Sequence, residues 1–266
     1  MQEKRYIIDT TLRDGAQSPN VILTNEEKLL LAKWFDKVGV YQIEAGIPAM
    51  GSEEKEMVMA IKDSCQHAKI SAWNRLSLED IAHSIDCQPD VIHISVPVSA
   101  LQIYEKLGWD GAGLLRRMLD CVSFARDKGY EVTVGFEDAS RADVGFMTAL
   151  AKRLVKLDVE SIRFADTVGI LTPSTAYEKV KYLRDTSGIG IEFHAHNDFG
   201  MAVANSVAAL QAGAFYADTT LNGIGERTGN CDMVQLLKAA GLLYDMNVAC
   251  LEEWGLPPVT FSFEDS

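Results

Sequence analysis

The sequence predicts an α/β chain folded as one (β/α)8 TIM barrel. Three observations carry this. There are eight short β-branched runs, there are amphipathic stretches of helical length between them, and 266 residues suit one closed barrel. The first run, Tyr6–Asp9, leads to a helix over Asn25–Val38, where Thr24 and Glu27 read as a capping box and Gly39 as the stop. Tyr41–Ile47 is followed by Glu53–Ser64, and Lys69–Trp73 by Leu78–Cys87. Val91–Val98 leads to Gly113–Lys128, closed by Gly129, and Glu131–Glu137 leads to Val144–Leu157. Ser161–Thr167 precedes Ser174–Asp185, which Thr172 and Pro173 open. Gly190–His196 precedes Ala202–Ala212, with Gly213 beyond it, and Tyr216–Leu221 precedes Met233–Tyr244. Alternating β and α with short links implies a parallel sheet with right-handed crossovers. An open doubly wound sheet is the competing architecture, but eight units in about 245 residues fit closure better. No linker, low-complexity tract or internal repeat divides the chain, so the expected division is a catalytic barrel over 1–246 and a C-terminal tail over 247–266.

Composition narrows the partners. Asp plus Glu outnumber Lys plus Arg by 38 to 25, a net charge of −13, which argues against a nucleic-acid partner held by phosphate contacts. With 47% apolar residues the chain can bury a full core, and no apolar run approaches the about 18 residues of a membrane span. The opening residues lack the apolar stretch of a secretory signal, and the five cysteines show no C-x-x-C pair. A soluble, cytoplasmic protein is the expectation.

In a barrel, polar residues at the C-terminal ends of the strands converge on one mouth. Nearly every predicted strand end carries an acid, a base or an amide. The sharpest feature is His194-x-His196: residues two apart on a strand point the same way, so both imidazoles can face the mouth. With Asp14 at the end of the first strand they make a three-ligand set with open positions for a divalent metal. Arg13 then points a fixed positive charge at whatever oxygen the metal polarises, as chemistry beside a carbonyl requires. Glu137, after the fifth strand, can position or deprotonate a substrate. Asp138 serves equally well as that group or as a helix cap, and Thr167 equally as a carboxylate contact or a structural hydroxyl. Cys231 reads as a packed thiol, and the glycine-rich 222–230 stretch lacks the spacing of a nucleotide-phosphate loop.

Three motifs, Asp9–Gln17 (DTTLRDGAQ), His194–Asp198 (HAHND) and Asn222–Asn230 (NGIGERTGN), together resemble those of the acyl-CoA Claisen-condensing synthases. That family comprises the 2-isopropylmalate, citramalate and homocitrate synthases and shares a metal-dependent barrel with the hydroxymethylglutaryl-CoA lyases. Further stretches, Ile47–Gly51, Val96–Ser99, Glu137–Asp143 and Arg163–Gly169, are similar to the homocitrate synthases of nitrogen-fixing bacteria. The resemblance implies condensation of acetyl-CoA with 2-oxoglutarate to homocitrate and free CoA. It places metal ligands on Asp14, His194 and His196, with Asn230 a fourth ligand or a residue behind them. The metal is Mn, Mg, Zn or Fe. Arg13 falls on the ketone oxygen, Thr167 on the substrate carboxylate, Glu137 near the acetyl methyl, and Glu44 behind Arg13 or the metal.

Two departures follow. Lysine-pathway homocitrate synthases carry an Arg where this chain has Thr133, so Arg75, Arg141 and Arg163 become the candidates for the far carboxylate, or the substrate is another 2-oxo acid such as those of isopropylmalate or citramalate synthesis. Full-length synthases also continue into a C-terminal region that supplies a His and a Tyr to the partner subunit's site. Nothing comparable follows in the 266 residues given, which leaves His93 as a base in the mouth or a core histidine. The expected partners are accordingly a second copy, as a homodimer, or a separate C-terminal subunit. A carbon–carbon lyase on the same barrel ranks second, and a non-catalytic scaffold, which need not keep Arg13, Asp14, His194 and His196, ranks last.

Overall fold

The computed structural model describes residues 2–19, 21–249, 257 and 259. Its strands are β1 (Tyr6–Asp9), β2 (Gln42–Gly46), β3 (Lys69–Asn74), β4 (Val91–Pro97), β5 (Glu131–Glu137), β6 (Ser161–Asp166), β7 (Gly190–Ala195) and β8 (Tyr216–Thr219). They close in chain order, every neighbour parallel, with β8 returning to β1 through the register Tyr6↔Tyr216. The main helices are α1 (Asn25–Val38), α2 (Ser52–Ser64), α3 (Leu78–Asp86), α4 (Gly111–Asp127), α5 (Val144–Val155), α6 (Pro173–Ser187), α7 (Ala202–Gln211) and α8 (Met233–Ala240). The expected (β/α)8 barrel is the observed fold. Of the expected tail, only residues 247–249, 257 and 259 fall among those described; Ala249 N–H donates to Val38 O at 2.8 Å, and Val259 is buried.

Local chemistry explains the element ends. Thr24 and Glu27 satisfy each other's backbone N–H groups at the start of α1, and Gly39 ends it at φ +91°, where a side chain would be strained. Thr172 and Thr175 do the same for α6 ahead of Pro173. Apolar side chains between strands and helices form the core. Leu31, Phe35, Ile43, Ile61, Ile70 and Ile81 are fully buried, each contributing about 1.5–3 kcal/mol. Among the described residues, no helix is long and apolar enough to cross a membrane.

The link from β4 to α4 differs from expectation. Before α4 the chain makes a helical turn over Ala100–Gln102 and a π-helical turn over Ile103–Leu107, ended by Gly108 at φ +62°. Ser99 Oγ accepts Gln102 N–H to start the first turn and donates to the Asp138 carboxylate, tying this segment to the end of β5.

Inside the barrel the lining is polar. Glu44, His93, Thr133, Arg163, Glu192 and Asp218 are all buried. At the strand starts the rings of Tyr6, Tyr41 and Tyr216 lie 4.8–5.9 Å apart, beside the Lys69–Glu131 ion pair. The functional mouth is therefore at the other end.

Candidate metal centre and active-site mouth

The turn after β1 folds back on its own strand. Thr10 O accepts N–H groups from Arg13, Asp14 and Gly15 at 3.2, 2.8 and 3.0 Å, which fixes the backbone that carries Asp14 into the cavity lining. Behind it, the Asp9 carboxylate accepts both the N–H and O–H of Thr11. Burial pushes Asp9 up to about 8, against the Thr11 hydrogen bonds that favour its charged form.

His194 and His196 face Asp14 from β7 and its end. Their Nε2 atoms lie 3.3 Å apart, and His194 Nε2 is 3.2 Å from Asp14 Oδ2. One ligand atom from each of the three residues falls within 4.8 Å of the others, and all three residues are buried. A bridge between His196 and Asn230 brings Asn230 alongside, where its Nδ2 donates to Asp14 Oδ2 at 3.0 Å. Two atoms of this cluster, His196 Nδ1 and Asn230 Oδ1, are buried without a hydrogen-bond partner. A partnerless ring nitrogen and amide oxygen beside two imidazoles and a carboxylate make a donor set that a divalent cation satisfies, so the residues fit a metal.

An extended ion-pair network supports this cluster. His194 Nδ1 lies 3.1 Å from Asp218 Oδ2, an arrangement that fixes the ring and turns Nε2 toward Asp14. Arg163 Nε bonds Glu192 and lies 2.8 Å from Asp218, while its two Nη atoms reach Glu44 at 3.3 and 2.8 Å. Glu44 in turn accepts Arg13 Nε at 2.5 Å, and Arg13 Nη1 is 3.3 Å from Asp14.

Burial opposes ionisation of Glu44 and Asp14, but the arginines and His194 hold both below the ordinary carboxylate range. Burial likewise opposes a charged His194, yet Asp14 and Asp218 raise it to about 9. Burial and the neighbouring His194 lower His196 to about 4. Burial raises Glu192, while the charges of Arg163 and His194 lower the neighbouring Asp218 against its own burial.

The opposite wall comes from β4, β5 and β6. Glu137 bonds Lys106 of the π-helical turn through Oε1 and lies 3.5 Å from Ser95 Oγ through Oε2. Thr167 Oγ1 accepts Asp138 N–H at 2.8 Å, and its carbonyl accepts from Arg227. The Asp138 carboxylate is taken by Ser99 and by both Nε and Nη2 of Arg141. His93 is buried with Nδ1 2.9 Å from Thr133 Oγ1, and burial followed by the Arg163 charge lowers it to about 3. Gly135 makes room for this ring, because a Cβ there would stand 2.6 Å from His93 Nε2.

A cavity of about 510 Å³ joins the two walls, within the range of small-molecule sites. Arg13, Asp14, Arg75, His93, Glu137, Arg163, Thr167, His194 and His196 line it. Glu44 and Asn230 stand behind that lining. Arg163 has its guanidinium taken up by three carboxylates of the barrel itself. Arg75 is bidentate to Asp80, with its side chain 69% exposed at the rim, and Arg141 is not among the lining residues.

Sequence reasoning missed Glu192, Asp218 and Lys106. The first extends the His-x-His alternation by one step, and the second sits at the matching depth on β8, so period-2 reading could have found both. Lys106 gave no such signal, since it lies in a connection.

Residues 4–249 match the HMGL-like family. Over 232 residues the chain is 49% identical to the homocitrate synthase subunit alpha of Clostridium pasteurianum, covering 87% of this chain and 86% of that one. It is 44% identical to homocitrate synthase 1 of a Nostoc species, covering 92% of this chain but only 65% of that protein. In fold it is similar to the HMG-CoA lyase of Brucella melitensis, with a TM-score of 0.81 at 16% identity over 95% of each chain. The closed parallel barrel, the Asp14–His194–His196 cluster at its mouth and a match along nearly the whole chain lead to one assignment: this chain belongs to the HMGL-like family.

Proposed function

We propose that the chain is an acyltransferase that condenses acetyl-CoA with a 2-oxo acid, 2-oxoglutarate by preference, to give homocitrate and free CoA. The observation that carries this reading is the facing of two walls across one cavity. Asp14, His194, His196 and Arg13 stand on one, and Glu137 stands on the other. The high identity to homocitrate synthases supports the same chemistry.

In this reading, residues 1–246 are the catalytic unit. A divalent metal (Mn, Mg, Zn or Fe) held by Asp14, His194 and His196, with Asn230 beside them, supplies Lewis acidity toward the 2-oxo acid. Arg13, oriented by Glu44, donates to the ketone oxygen as negative charge builds on it. Thr167 holds the adjacent carboxylate. Glu137 removes a proton from the acetyl methyl, the carbon left behind attacks the ketone carbon as the ketone π pair moves onto the oxygen that Arg13 faces, and water then cleaves the thioester to the free acid and the CoA thiol. Neutral His93 lines the floor of the pocket, and Arg75, at the rim, meets the far carboxylate. Arg163 serves the site by holding Glu44 and Asp218 in place.

The mutual coverage with a protein named as a subunit favours a second reading, in which a separate polypeptide completes the site. The test is thiol release from acetyl-CoA by the purified chain with Mn²⁺, against an EDTA control. 2-Oxoglutarate, pyruvate and 2-oxoisovalerate are assayed in parallel. Metal-dependent release with 2-oxoglutarate alone supports the homocitrate reading, and release with another acid reassigns the substrate. No release, with metal and 2-oxoglutarate both bound, favours the two-polypeptide reading. Absence of metal binding overturns the assignment of Asp14, His194 and His196.

A further inference from the structure

Removing a proton from the methyl of a thioester moves negative charge onto the thioester oxygen. A carboxylate base makes little headway unless a donor waits for that charge. In the reading above, Arg13 and the metal ligands are occupied at the ketone. They stand at the ends of β1 and β7, while Glu137 ends β5, four strands round the closed barrel from β1 and two from β7. The thioester therefore needs its own donor on the Glu137 wall.

Among the described residues Glu137 hydrogen-bonds two side chains, Ser95 at 3.5 Å and Lys106. Lys106 lines the cavity and has three N–H donors, with Glu137 its recorded partner among the described residues. Its position is built rather than incidental. The π-helical turn Ile103–Leu107 carries it, Gly108 in the left-handed region ends that turn, and Ser99 pins the segment to Asp138, next to Glu137. Interruptions of this kind recur at functional sites. The α-hydrogen and the carbonyl oxygen of an acetyl thioester flank the same two carbons. A cation hydrogen-bonded to the group that takes the hydrogen is thus within reach of the oxygen.

We propose that Lys106 is a catalytic residue that binds the thioester carbonyl oxygen of acetyl-CoA and stabilises the enolate formed when Glu137 takes the methyl proton. The methyl C–H bond breaks and its proton passes to the Glu137 carboxylate. The electron pair forms the carbon–carbon double bond of the enolate, and the carbonyl π pair moves onto the oxygen facing Lys106. The enolate carbon then bonds to the ketone carbon of the 2-oxo acid, the ketone π pair moves onto its own oxygen, and the thioester carbonyl is restored. This inference rests on the condensation reading.

The test compares the wild-type chain with Lys106→Met and Lys106→Arg in Mn²⁺, using acetyl-CoA and its trideuterated form. Lys106→Met should lower kcat by at least about tenfold, short of the about 10²–10³-fold of a fully buried oxyanion donor because the Lys106 side chain is 52% exposed. It should leave the KM for 2-oxoglutarate and the Mn²⁺ affinity by calorimetry within twofold. The deuterium isotope effect on kcat/KM for acetyl-CoA should rise, because proton removal becomes the slow step, and Lys106→Arg should recover part of the rate. A Lys106→Met enzyme with unchanged kcat overturns the proposal. So does one whose loss lies wholly in the KM for 2-oxoglutarate, which would make Lys106 a contact for the far carboxylate, or a lower kcat with an unchanged isotope effect. A wild-type chain that binds neither Mn²⁺ nor 2-oxoglutarate and releases no CoA overturns the condensation reading itself, and this role with it; one that binds both yet releases no CoA overturns the role of Lys106 in the chain acting alone.

Discussion

Replacing Arg163 with Met tests the ion-pair network beneath the mouth. Arg163 is a buried cation whose guanidinium meets Glu44, Glu192 and Asp218, with every side chain in the set at most 4% exposed. Solvent therefore screens these pairs little. Removing one partner of such a set costs about 3–5 kcal/mol, because the remaining charges stay buried. The cost is limited for each stranded carboxylate separately, since each can take a proton. Glu44 has an ordinary value of 4.5, and at 1.36 kcal/mol per pH unit neutralising such a group at pH 7 costs about 3.4 kcal/mol. The same step costs about 1.4 kcal/mol at pH 5.5. Arg163→Met should thus lose about 3–5 kcal/mol at pH 7 in urea unfolding, and about 2 kcal/mol less at pH 5.5. At pH 7 the melting temperature should fall by about 6–20 °C. A loss below about 1 kcal/mol at pH 7, or one independent of pH, would show that the network does not hold the barrel interior in the way its geometry implies.

Three further outcomes are expected. Asp218→Asn removes the carboxylate that fixes His194 through Nδ1 and should weaken Mn²⁺ or Zn²⁺ binding by about 10–100-fold in competition titrations; an unchanged affinity would mean that Asp218 does not orient the ligand. Gly135→Ala places a Cβ 2.6 Å from His93 Nε2, a ring already held by Thr133, and should cost about 1–3 kcal/mol in chemical denaturation. His93 is lowered to about 3 in the fold from an ordinary 6.5, so the unfolded chain binds the extra proton in that interval. Its contribution is complete above pH 6.5 and is lost as the pH falls, at up to about 1.4 kcal/mol per unit. The stability of His93→Gln should therefore fall less steeply than wild type between pH 6.5 and 5, and parallel curves would remove His93 as the cause.

Much of this was legible in the chain itself. Period-2 and period-3.6 patterning, Thr24 with Glu27 and Pro173 after Thr172 determine where strands and helices form, because those signals act over a few residues. His194-x-His196 is of the same kind, since strand geometry alone points both rings one way. The closure of eight parallel strands followed from counting alternating units, and it then placed Asp14, some 180 residues away in sequence, within 3.2 Å of His194.

What only the tertiary structure decided are the partners of buried charge. Arg163 reads from sequence as a free cation for a substrate carboxylate. In the barrel, three carboxylates from β2, β7 and β8 surround it, and a desolvated guanidinium stays with the nearest anions. Lys106 carries no pattern because its placement depends on a π-helical turn and on Ser99, just after β4, reaching Asp138 at the end of the neighbouring β5. Local patterning acts through the backbone and is written residue by residue. The pairing of charges depends on which strands closure makes neighbours and how far burial strips them of water, and neither is a property of any short stretch of sequence.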